Sequence, residues 1–176
     1  MARPARSIRP AATAGAVRAL DDLLALSPSA LSELYAGASV PRLDSVSGDL
    51  RGRMLAWPGV ARGPVAGLLR RWAASSRFPW RGKSFTPDQE KGEGINRVLV
   101  DRFRLYRFET FIGRSRAGDF DALQLDYDRP DNPFFIRPIR DEIRELSPGL
   151  YLGQAWLEIG ARPPTLVLYF GLTSRG

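Results

Sequence analysis

The hydrophobic rhythm of the chain changes near residue 78. Before it, apolar residues recur at helical spacing: in "AVRALDDLLAL", Val17, Leu20, Leu23 and Leu24 stand three and four apart, which predicts an amphipathic helix from about Ala14. Ser27-Pro28-Ser29 ends it, and Ser29 is placed to cap a second short helix, "ALSELYAG", that stops at Gly37. "VPRLDSVSGDLRGRMLAWPG" is punctuated by Pro and Gly, and "PVAGLLRRWAASSRF" gives a further helical pattern with Pro64 in its first turn. Residues 1–13, rich in Pro and Arg, read as a disordered arm.

After Phe78 the period shortens to two. "PWRGKSF" reads as a short strand, "KGEGIN" as a turn, and "ALQLDYD" alternates cleanly, with Leu123, Leu125 and Tyr127 against Ala122, Gln124 and Asp126. "RVLVDRFRLYRFETFIG" is rich in β-branched and aromatic residues, but its parity changes. Leu99, Asp101, Phe103 and Leu105 share one face, whereas Tyr106, Phe108, Thr110 and Ile112 share the other, which predicts a bulge or turn near residues 104–106. "LYLGQAWLEIG" and "TLVLYFGLTS" are strands joined through Arg162-Pro163-Pro164.

One stretch fits two patterns. Ile136, Ile139, Ile143 and Leu146 follow a helical spacing, yet Ser147-Pro148-Gly149-Leu150 is a type II turn, which joins strands more naturally than it ends a helix. A hairpin pairing 139–146 with 150–159 is therefore expected. Within it, Arg140, Glu142 and Arg144 project to one face, where Glu142 would be solvated, and Asp141 sits between Ile139 and Ile143 on the other.

Six or seven antiparallel strands behind a helical lead point to a mainly β chain: an antiparallel barrel capped or flanked by two to three N-terminal helices. The chain is expected to form one domain, with the arm at 1–13, the helical lead at 14–76 and the barrel at 78–172. At "WRGKSF", "LQLDYD", "RDEIRELSPGLYLGQAWLE" and "LVLYFGL" it resembles uncharacterised bacterial proteins akin to the lipocalin-like, or calycin, β-barrels. The order Trp80-Arg81-Gly82 departs from the lipocalin Gly-x-Trp, and of its Thr-Asp-Tyr only Asp126-Tyr127 is present. The resemblance implies a cavity for a small apolar molecule, with some relatives acting as cyclases or isomerases.

Composition narrows the chemistry. With no cysteine and no histidine, disulfides, thiolate nucleophiles, the usual zinc and haem sites and any imidazole base are excluded. No cofactor or metal is expected. Proton transfer is left to Asp, Glu, Tyr, Lys83 and Lys91, and anion stabilisation to arginine. The net charge of +7 is concentrated at the front: residues 1–83 hold 13 basic against 5 acidic side chains. Those cations are dispersed rather than gathered into a stripe with aromatics, so no nucleic-acid partner is expected. No run approaches the ~20 apolar residues of a membrane span, and Arg18, Asp21 and Asp22 interrupt the basic start, so a secretory signal is not expected and a cytoplasmic location is. The segment "LLRRWAASSRF" could touch a membrane surface or cover the barrel; packing against the sheet is its default.

Candidate residues follow from strand placement. Trp80, Phe108, Tyr127, Tyr151, Trp156 and Tyr169 are candidate walls of a ligand cavity. Asp101 and Asp141, carboxylates on otherwise apolar faces, are candidate acid/base groups or ligand anchors, and Arg104 and Arg144 could clamp a carboxylate headgroup. Asp126, Asp128, Asp131 and Asn132 echo a calcium loop, but Pro130, Asp131 and Arg137 break its spacing, so an Asx-rich turn is expected. "GKS" at 82–84 lacks a phosphate-binding glycine loop and reads as a strand entry. The expected partner is a small apolar or amphipathic ligand, bound by a carrier or turned over by a cyclase or isomerase. The basic front half could alternatively serve protein interaction.

Overall fold

The structure, a computed structural model, describes residues 17–58, 79–88, 90–98 and 103–174. Its strands are β1 (Gly48–Ala56), β2 (Trp80–Thr86), β3 (Gly92–Val98), β4 (Phe103–Arg114), β5 (Asp121–Asp126), β6 (Ile139–Ser147), β7 (Leu150–Leu157) and β8 (Thr165–Thr173). They pair antiparallel in chain order, and β1 pairs back onto β8. The result is a closed up-and-down barrel of lipocalin-like type, whose closure removes the free edges of the sheet. Among the described residues there are eight strands rather than six or seven. The additional one, β1, lies in the stretch read as helical lead, where two glycines and alternating charges conceal its apolar face.

The expected 139–150 hairpin forms: β6 and β7 pair from Ile139↔Leu157 to Ser147↔Leu150, with Gly149 at φ 76 in the third turn position. The parity change in β4 is also real. Tyr106 takes φ 61 while the register steps from Ile95↔Arg107 to Asn96↔Leu105. One bulged residue in a continuous strand thus puts Phe103 and Leu105 on the same barrel face as Phe108.

Before the barrel come a 3₁₀ turn, Leu20–Ala25, and a helix α1, Pro28–Gly37. The cap of α1 is Ser27 rather than Ser29: its hydroxyl accepts the Ala30 N–H at 3.2 Å, and Pro28 occupies the first turn, where a missing N–H costs nothing. Leu20, Leu23, Leu31, Leu34 and Tyr35 bury themselves against the outward-facing Leu150, Leu152 and Tyr169. These helical elements therefore flank the wall and do not cover an end. Residues 1–16 and 59–78, which carry the expected arm and the helix starting at Pro64, lie outside the described residues.

Inside, Leu50, Phe85, Phe108, Leu123, Leu125 and Ile143 form the core, and Leu43 and Val46 pack into it at the end where β1 begins. Toward the opposite end, where β1 ends and β2 begins, the described residues leave a cavity. No helix among the described residues is long and apolar enough to cross a membrane.

Candidate functional site

The half of the barrel away from Leu43 and Val46 holds a cavity of about 310 Å³, lined among the described residues by Met54, Trp57, Val98, Ile136, Ile139, Leu168 and other mostly apolar side chains. Its deep end is made by the backbone. At Gly52, Gly94 and Gly153 any Cβ would collide with the rings of Trp80, Phe108 and Phe170 respectively, so each ring lies against a bare stretch of wall. Phe108 and Phe170 sit directly across from their glycines in the ladder.

Those three rings and Tyr127 surround the Lys83 ammonium, with Nζ 5.2–5.6 Å from each centroid. Simple alternation along "WRGKSF" would send Trp80 and Lys83 to opposite sides. A register shift between Trp80 and Gly82 prevents this, bringing Trp80, Lys83 and Phe85 all inward. The bulge requires glycine: Gly82 has φ 137, and a Cβ there would meet the Leu50 carbonyl.

Lys83 Nζ donates to Asn96 Oδ1 at 2.8 Å, to the Tyr127 hydroxyl at 2.5 Å and to Asp141 Oδ2 at 2.8 Å. All three ammonium protons are thereby used. Asn96 is equally committed: its Oδ1 also accepts the Trp80 indole N–H at 3.1 Å, and its Nδ2 donates to the Tyr127 hydroxyl and the Tyr106 carbonyl. Tyr127 in turn donates to Asp141 Oδ2 at 3.1 Å. Burial, and then the Asp141 charge, holds the Tyr127 phenol well above its ordinary pKa, so it remains a donor. Burial lowers the Lys83 pKa, and the Asp141 carboxylate opposes that shift. One atom is left over: Asp141 Oδ1 is buried and has no hydrogen-bond partner among the described residues.

Trp80, Tyr127 and Asp141 line the cavity, and Phe108 lies against Lys83 beneath it. Tyr151 also faces inward but is buried in the closed half, beside Leu172. Four expected site residues are on the outer surface of the wall instead. Arg104 is 60% exposed and 3.8 Å from Asp49. Arg144 stacks on Phe120 with its guanidinium 4.2 Å from the ring, and donates to the Ala36 carbonyl. Trp156 donates its indole N–H to Glu142, and Tyr169 is covered by the helical elements. Strand parity accounts for this: Trp156 and Tyr151 are an odd number apart, as are Tyr169 and the inward Phe170. Asp101 lies outside the described residues.

Glu142 is not solvated. Its side chain is fully buried on the outer face, under the turn that follows β4. It accepts from Ser115 Oγ at 2.7 Å, the Arg116 amide at 3.1 Å, the Trp156 indole at 3.2 Å and Gln124 Nε2 at 3.4 Å, with Arg116 Nη1 at 3.6 Å. The acidic turn after β5 is an Asx turn: Asp126 accepts the Asp128 amide at 2.7 Å, and Asn132 donates to the Arg107 and Tyr127 carbonyls, fixing the strand end that carries Tyr127.

Two residues of the deep network, Lys83 and Asn96, were not placed at a site by the sequence, although Lys83 is one of two lysines in the chain. A clue was the glycine beside the lysine, a residue that in a strand interior marks a bulge.

The chain matches no protein-family model and no curated protein. Among solved structures, it is similar to the crystal structure of a protein from Thermomonospora curvata, at 18% identity and a TM-score of 0.50, over 86% of this chain and 89% of that one. That likeness concerns the fold.

Proposed function

We propose that the barrel binds or carries a small apolar or amphipathic molecule in its interior cavity. The observation that carries this reading is the largely apolar 310 Å³ cavity, into which Lys83, Asn96, Tyr127 and Asp141 bring one hydrogen-bonded network. A few convergent polar groups on an apolar wall are the usual composition of a small-molecule site, and this volume lies at the lower edge of such sites. The ligand is accordingly compact. Gentle purification followed by native mass spectrometry and extraction is the test. A co-purifying apolar molecule, or a rise in melting temperature with compact apolar compounds, is the expected result. An empty protein that no such compound stabilises sinks the reading.

The same barrel could host a cyclase or isomerase, and one observation favours keeping that reading: a carboxylate oxygen with no partner among the described residues belongs to a residue lining an apolar cavity. Such an oxygen can take a proton from a bound substrate. The discriminating result is turnover that disappears in Asp141→Asn while ligand binding survives.

A further inference from the structure

We infer that the cavity selects a neutral apolar molecule bearing a hydrogen-bond donor, a hydroxyl or N–H, which it gives to Asp141 Oδ1. This rests on the binding reading above and specifies the chemistry of its ligand.

The three protons of Lys83 go to Asn96, Tyr127 and Asp141. Both protons of the Asn96 amide are used, the Tyr127 proton points to Asp141, and the Trp80 indole proton goes to Asn96. No donor of this network remains for a ligand. On the acceptor side, Asn96 Oδ1 takes two protons, the Tyr127 oxygen takes two, and Asp141 Oδ2 takes two. Among the described residues, Asp141 Oδ1 is the acceptor of this network left without a partner, on a residue that is 95% buried and lines the cavity. A buried ionised oxygen without a partner is costly, and a ligand proton relieves that cost.

At the deep network, charge then disfavours two kinds of headgroup. A carboxylate would meet the Asp141 charge with no free donor in the network, and the arginines that might have received it, Arg104 and Arg144, are outside the wall. An ammonium would add a second cation beside Lys83, where the Lys83–Asp141 pair, at 2.8 Å, is already neutral as a whole. A neutral donor satisfies the open oxygen without disturbing that balance. Sites built to hydrogen-bond a particular group discriminate strongly against analogues that lack it.

The test is isothermal titration of the wild-type protein with two sets of compact probes, one on naphthalene and one on adamantane, each presented as alcohol, methyl ether, carboxylate and methylammonium. The alcohol is expected to bind at least about tenfold more tightly than its ether, as a hydrogen bond to a charged group implies, and also more tightly than the two charged members. Equal affinity for alcohol and ether overturns the donor inference and leaves the cavity reading standing. Preference for the carboxylate or the ammonium does the same. If no member of either set binds, the cavity reading fails and takes this inference with it. Because these comparisons use wild-type protein, none depends on a variant folding. Where Asp141→Asn folds, its alcohol-to-ether ratio is expected to fall towards one.

Discussion

Asp141 and Glu142 are neighbours in sequence, both buried, on opposite faces of the same strand. Glu142, on the outside, has donors on both oxygens from Ser115, Arg116, Trp156 and Gln124. Asp141, on the inside, has both its donors on one oxygen and none on the other among the described residues. Burial alone does not distinguish the two carboxylates. The separating property is completeness: Glu142 ties the turn after β4 to the wall with donors on both oxygens, while Asp141, which lines the cavity, keeps one oxygen without a partner among the described residues.

The largest effect that would probe this comparison comes from Lys83→Met, which leaves the Asp141 charge buried and unpaired. A loss of about 3–5 kcal/mol is expected in urea unfolding, the usual result of removing one partner of a buried pair. Adding Asp141→Asn should restore part of that loss. Strictly additive effects would show that the two groups do not interact.

Glu142→Gln is expected to cost about 1–3 kcal/mol, since it places a donating amide among donors. Probe affinity in the cavity should not change. A Glu142→Gln protein that binds probes more weakly at unchanged stability would erase the distinction between the two faces.

Gly153→Ala pushes a methyl into the Phe170 ring, and overpacking of this kind costs about 1–3 kcal/mol. Phe170 must move towards the cavity, so bulky adamantane probes should lose more affinity than flat naphthalene ones. Equal losses would separate the ring position from cavity shape.

The smallest effect is expected at Asp49, outside the barrel. A hydrogen bond from Ser84, supported by Arg97 and Arg104, holds its carboxyl below the ordinary value. Its folded-state pKa lies below the unfolded one, so its contribution is complete above the unfolded value and lost as pH falls through the folded value. Asp49→Asn should flatten the acid limb of the stability–pH curve below about pH 4. An unchanged limb would mean that solvent screens the group entirely.

Much of the barrel was legible because one face of most strands is apolar. The bulge at Tyr106 could be read from a parity change, and the β6–β7 hairpin from Pro148-Gly149. Long-range coverage was not legible. Glu142 and Tyr169 look exposed or ligand-facing until the turn after β4 and α1 are seen to cover the outer wall, which gives β7 and β8 apolar residues on both faces and erases their alternation. Strand β1 was missed because its inward positions include Gly52, whose space is filled by the Trp80 ring. Lys83 was missed because a bulge at Gly82 reverses the parity that the sequence implies.

Closure of β1 onto β8 also bears on synthesis. Arg51 pairs with Thr173, a contact between residues more than a hundred positions apart, and such pairing makes folding slow. Until β8 leaves the ribosome, β1 and β7 are both open edges that can recruit other chains. The Lys83 cage shares that fate, since its Phe170 ring comes from β8. A nascent chain can assemble the Lys83, Asn96, Tyr127 and Asp141 cluster from β2 to β6, yet its cavity lacks the Val167, Leu168 and Phe170 wall until translation has passed β8.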